Sequence, residues 1–209
     1  DQEARARAVD ELPQSGAGKT VMTTEPKFIP AEAVPIQIKE GMAAQVRLVD
    51  CVGYGVPGAL GFQEEDVPRM VNTPWFEEAI PFQEAAEIGT QKVINDHSTI
   101  GVVVTADKSI TGIERDDYAE AEGRVVAELQ ELGKPFLIIY NTDAPHSEAA
   151  QQECERLQQL YTTCVLPLDV AHMQQENVLQ ILQELLFEFP VSEININLPR
   201  WFEELPPSH

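Results

Sequence analysis

The chain has 209 residues, 43% of them apolar and 23% charged, with 14 Lys+Arg against 35 Asp+Glu and a formal net charge of -21. That size and balance allow one sizeable core, or one domain with an appendage, and argue against wholesale disorder. A surface this acidic repels phosphate backbones and anionic lipid, which disfavours nucleic-acid and polybasic membrane binding; no apolar run reaches the about 18–20 residues of a membrane-spanning helix.

The first residues, Asp1-Gln2-Glu3-Ala4-Arg5, lack the apolar region of a signal peptide and an initiator Met, so the chain is expected to begin inside a longer protein. Residues 1–12 read as a short polar helix and residues 13–33, rich in Pro, Gly and Thr, as a long loop. Within that loop Gly16-Ala17-Gly18-Lys19-Thr20 imitates a phosphate-binding loop. It has Pro13 where the motif requires its first glycine, and Asp10-Glu11-Leu12-Pro13 is not the buried strand required upstream. A true P-loop and the strand before it are therefore expected to be missing.

Two alternating segments, residues 34–39 and 44–49, flank Glu40-Gly41-Met42 and predict an antiparallel hairpin. The second runs into Asp50-Cys51-Val52-Gly53, the D-x-x-G arrangement of nucleotide-switch domains. An aspartate leaving a strand at its carboxyl end can hold magnesium, usually through water, and the glycine lets its N–H approach a terminal phosphate with no Cβ in the way. Standing alone, D-x-x-G is also a common strand-to-turn exit. Thr23-Thr24, one hairpin upstream, is either a turn pair bonding locally or a threonine loop that ligates magnesium and senses the terminal phosphate; the order threonine loop, hairpin, D-x-x-G favours the second.

Residues 53–81 read as a second long loop, rich in Gly, Pro and acids. From residue 82 helix and strand patterns alternate. Helices are predicted at 82–96, 114–132, 147–160 and 178–189, and strands at 99–104, 136–140 and 163–168; Val191 to Asn197 is a strand or an extended exit. The continuous apolar run Thr99 to Val104 is expected of a strand buried on both faces, and the alternation predicts an α/β fold, a parallel sheet with helices on both faces. With no strand before a P-loop, a gap is expected between strand 44–49 and strand 99–104.

Asn141, ending strand 136–140, has the place of the asparagine in the guanine-reading N-K-x-D, but the tetrad here is Asn141-Thr142-Asp143-Ala144. Neither the lysine that packs on the base nor the final carboxylate that selects guanine is present. Asn141 is equally readable as a turn residue leading into a helix. His97, His146, His172 and His209 have no zinc-ligand spacing, and Cys51, Cys154 and Cys164 form no C-x-x-C pair, their odd number suggesting reduced thiols in a cytosolic protein.

Long ordered blocks carry a resemblance. Asp10-Glu11-Leu12-Pro13-Gln14-Ser15, Gly18-Lys19-Thr20, Met22-Thr23-Thr24-Glu25-Pro26-Lys27-Phe28, and Arg47-Leu48-Val49-Asp50-Cys51-Val52-Gly53-Tyr54 resemble the stage IV sporulation protein A family. So do Pro68 to Trp75, Pro81 to Thr90, His97 to Val103, Gly133-Lys134-Pro135-Phe136 and Asn195-Ile196-Asn197-Leu198-Pro199. The resemblance implies a P-loop NTPase domain like that of translation-factor GTPases: a three-layer α/β fold, mostly parallel, with one antiparallel hairpin strand, here without its first strand and P-loop. It implies a truncated ATPase domain over 1–196 and the start of a linker over 197–209. It implies binding and hydrolysis of ATP with Mg2+, hydrolysis driving polymerisation of the protein into the basement layer of the spore coat, in the mother-cell cytoplasm at the outer forespore surface.

The partners it implies are the protein itself, other spore coat proteins and a small amphipathic membrane peptide met through later domains. By position, Asp50 resembles the metal-holding aspartate, with Thr24 beside it; Thr23 and Thr24 resemble the sensor threonines; Gly53 and Asn141 fall at nucleotide-binding positions. The alternatives are a ribosome-assembly-type GTPase, against which Ala144 and the acidic surface argue, and a non-catalytic assembly module with a vestigial nucleotide site. Without its upstream P-loop, the 209-residue chain is expected to bind ATP poorly.

Overall fold

The computed structural model describes residues 27–64, 67–73 and 75–189. The polar helix at 1–12, the Gly16–Thr20 segment, Thr23, Thr24 and the segment 191–197 lie outside the described residues.

Strand β1 (Lys27–Lys39) and strand β2 (Met42–Asp50) form the antiparallel hairpin, closed by Glu40-Gly41. β1 begins earlier than the loop expected over 13–33 allows. Phe28 pairs with Val49 and Ile29 with Leu48, and then the register shifts before Val34 pairs with Val46. Pro30, inside that interruption, has no N–H for a ladder, and it broke the alternation on which the strand prediction relied. The long loop after β2 also holds more order than predicted: two small ladders pair Gln63–Glu64 with Val67–Pro68 and Met70–Val71 with Ile80–Pro81.

Helix α1 (Phe82–Lys92) continues into a wider π-helical turn, Val93–His97. Lys134 closes that end, its ammonium donating to the carbonyls of Ile94, Asn95 (2.9 Å) and Ser98 (2.8 Å), where a cation also favours the helix dipole. Strand β3 is Gly101–Ala106, two residues beyond its predicted span. Gly101 is needed there: a Cβ would fall 2.8 Å from a Leu129 methyl and 3.0 Å from Phe136 Cβ. A one-turn helix, Lys108–Thr111, not anticipated from sequence, follows β3; the helix predicted over 114–132 is a 3-10 turn, Arg115–Tyr118, then α2 (Ala119–Glu131). Strand β4 (Phe136–Asn141), α3 (Glu148–Tyr161, capped by Ser147 Oγ accepting from the Ala150 N–H), β5 (Val165–Leu168) and α4 (Gln175–Phe187) complete the described chain.

β3, β4 and β5 form a parallel sheet in that order. β4 lies at its centre and alternates between two cores. Phe136, Ile138 and Tyr140 join Val126, Leu129, Cys154 and Leu157 from α2 and α3 on one face. Leu137 and Ile139 join Leu166, Leu168, Ile181 and Leu185, with α4, on the other. This is the α/β layering expected of right-handed strand–helix–strand crossovers. β3 departs from expectation. Val103 and Thr105 are buried, but Val102 and Val104 are 43% and 57% exposed, so among the described residues only one face of β3 is covered. Its outer edge has no ladder partner there, and the β1–β2 hairpin forms a separate sheet. Among the described residues no ladder joins β2 to β3.

Candidate nucleotide-switch site

Asp50 ends β2 with an exposed side chain. Partial desolvation nonetheless lifts its carboxyl above the usual range, and the Cys51 N–H, donating to it, opposes that shift. No group of three or more His, Cys, Asp or Glu side chains that could enclose a metal exists among the described residues. A carboxylate that is exposed and, among the described residues, without an ion pair suits an ion whose other ligands are water and phosphate, since Mg2+ keeps several waters.

Gly53 adopts φ +83°, and an added Cβ would meet nothing within 4 Å. Backbone conformation therefore favours glycine here, and the open Cβ side leaves room for the ligand approach anticipated from sequence. Its N–H donates to Thr90 Oγ1 at 3.0 Å, inside α1. Nearby, the Cys51 thiol is held above its ordinary pKa chiefly by burial. Next in sequence, the buried Tyr54 docks on α2: its OH donates to the Glu128 carboxylate at 2.6 Å, and the Arg124 guanidinium lies 3.7 Å from its ring centre while pairing with Glu87 at 2.8 Å. Burial and Glu128 together push the Tyr54 phenol strongly up, so it stays protonated as a donor. Beyond it, residues 55–62 roof a cavity of about 760 Å³ floored by Gln83, Glu87 and Arg124.

Asn141 is half-buried at the carboxyl end of β4. Its Oδ1 accepts the Val170 N–H at 3.1 Å and its main-chain carbonyl the Asp107 N–H at 3.2 Å. Thr142 is buried, its hydroxyl accepting the Ala144 N–H at 3.3 Å. So Asn141 ties together the carboxyl ends of the parallel strands, the edge where open α/β sheets take ligands. No hydrogen bond or ion pair joins Asn141 to the Asp50–Gly53 group among the described residues. Thr90 and the Tyr54–Arg124–Glu128 set were missed by sequence reasoning. Their contacts span separations of 37 and 74 residues, and no local motif announces them.

A family model for the stage IV sporulation protein A ATPase domain matches residues 1–190. The chain is 54% identical over 205 residues to stage IV sporulation protein A of Bacillus subtilis (strain 168), and 56% identical over 205 residues to that of Bacillus anthracis; each match covers 98% of this chain and 42% of the relative. Against the Clostridioides difficile (strain 630) protein of that name it is 51% identical over 203 residues, covering 97% of this chain and 41% of the relative. The chain thus spans about two fifths of the length of these relatives. No solved structure matches it.

Proposed function

The chain belongs to the stage IV sporulation protein A family, matching its ATPase domain, and from that premise we propose that it is the switch-bearing part of an ATPase whose hydrolysis drives self-assembly of the spore coat basement layer. The observation that carries this reading is the exit from β2: an exposed Asp50 carboxylate followed by a glycine at φ +83°. Asp50 would hold Mg2+ through water, and Gly53 would present its N–H to the terminal phosphate. Thr24 and Thr23 are proposed as the metal-binding and sensing threonines of the preceding loop. When bound, the ion neutralises charge on the phosphate oxygens. The P-loop itself is proposed to precede Asp1, its strand completing the sheet between β2 and the edge of β3 that has no ladder partner among the described residues. That arrangement is the P-loop NTPase, translation-factor-like version of the α/β fold described above.

ATP is favoured over GTP by the 141–144 turn. Thr142 stands where a guanine-reading lysine would stack, and its hydroxyl is spent on its own turn; Ala144 offers no carboxylate to the base. We propose action on the mother-cell side of the outer forespore surface, with copies of itself, other coat proteins and a small amphipathic membrane peptide as partners, the last two met through regions beyond this chain. No described helix is long and apolar enough to cross a membrane.

Nucleotide competition tests the reading. With the full-length protein, unlabelled ATP is expected to displace a labelled ATP analogue at least about tenfold better than GTP, because lost base contacts are worth a kcal/mol or more each. Equal displacement by GTP removes the adenine assignment.

A further inference from the structure

The geometry points to Thr90 as a positioning residue for the ATPase: its buried hydroxyl holds the Gly53 N–H in the nucleotide-free arrangement, in the role a phosphate oxygen takes over when ATP binds. This rests on the switch reading above and deepens it.

Thr90 lies in α1 and is only 2% exposed. A buried helical threonine ordinarily returns its hydroxyl to a carbonyl of the preceding turn. Here Oγ1 instead accepts the Gly53 N–H at 3.0 Å. That hydroxyl therefore takes the donor of the Asp50–Gly53 turn that a phosphate sensor needs free. Nothing crowds Gly53 on its Cβ side, so the turn has room to swing that N–H away from α1. An amide leaving a buried partner must find another acceptor. A terminal phosphate oxygen is a stronger one, because charge-assisted hydrogen bonds exceed neutral ones. Thr90 thus keeps the N–H satisfied until ATP competes for it.

The test compares Thr90→Val, which keeps the shape and removes the hydroxyl, with Thr90→Ser, which keeps the hydroxyl, in the full-length protein. Without nucleotide, the Gly53 amide is expected to be protected from hydrogen exchange in the wild type and in Thr90→Ser, and to exchange about 2- to 10-fold faster in Thr90→Val. With ATP and Mg2+, Thr90→Val is expected to lower KM for ATP by a similar factor with kcat within about twofold, since the bound state no longer uses Thr90. A merely structural role would lower Tm and leave KM unchanged or raised; that result overturns the proposal. So does an unprotected Gly53 amide in the nucleotide-free wild type, which needs no variant to fold. The exchange arm involves no ATP, so the Thr90 contact and the ATPase reading fail separately.

Discussion

Asp50→Ala is expected to reduce kcat/KM for ATP by about 10²–10³-fold in the full-length protein, the scale of losing one preorganised electrostatic group at a phosphoryl-transfer site. The fold should be indifferent to the change. Asp50 sits exposed at the end of β2 and makes no ion pair among the described residues, and desolvation disfavours its ionised carboxyl where it stands. Thermal melts of variant and wild type are therefore expected to coincide, or to favour the variant slightly. The loss should appear as a weakened dependence on Mg2+, measured by titrating the ion at fixed ATP. Thr24→Ala provides the contrast: hydrolysis is expected to slow more than ATP binding weakens, because a sensing group acts mainly on the terminal phosphate during transfer. Equal and negligible hydrolysis by wild type and Asp50→Ala would instead make the nucleotide site vestigial.

What could be read in the sequence, and what could not, divides by the range of the interactions. β4 was legible because Phe136-Leu137-Ile138-Ile139-Tyr140 serves two cores at once, and only a strand enclosed on both sides tolerates an unbroken apolar run. Asp50 and Gly53 were legible because four consecutive residues carry the chemistry. The positive φ of Gly53 was not legible, since a backbone conformation adds a reason for glycine that the four-residue motif does not carry. β3 misled in an instructive way. Its residues Val102 and Val104 have the composition of doubly buried positions, yet one face stands uncovered among the described residues. The start of β1 was hidden by Pro30, and the partner of Gly53 by the 37 residues separating it from Thr90.

The other large effect is on stability, and it comes from a cluster with no part in the proposed chemistry. Arg115→Ala is expected to cost about 3–5 kcal/mol, the range for removing one partner of a buried ion pair. Arg115, in the 3-10 turn before α2, donates to Glu122 of α2 at 2.8 Å and to Glu153 of α3 at 2.8 Å. Glu122 is only 5% exposed and accepts a further bond from Tyr161 at 2.9 Å, so without Arg115 its charge would be stranded between the two helices. Arg115 is not fully satisfied itself: Nη1 is buried with no partner, so the cluster does not exceed what good apolar packing could supply. Replacing both residues, Arg115→Met with Glu122→Leu, is accordingly expected to recover most of the loss, whereas Arg115→Lys should recover little because an ammonium cannot span both carboxylates. Acid titration reads the same cluster from the other side. Hydrogen bonding from Arg156, aided by the charge of Arg115, holds the Glu153 carboxyl below its usual pKa against the opposing effect of burial. A depressed carboxylate contributes stability above its unfolded pKa and loses it as pH falls through its folded value. Wild-type stability should therefore decline on acidification below the usual carboxylate range, and the decline should be shallower in Arg115→Ala. Urea denaturation across that pH series measures both effects, and a loss under about 1 kcal/mol at neutral pH would show that water had already taken over the charge on Glu122.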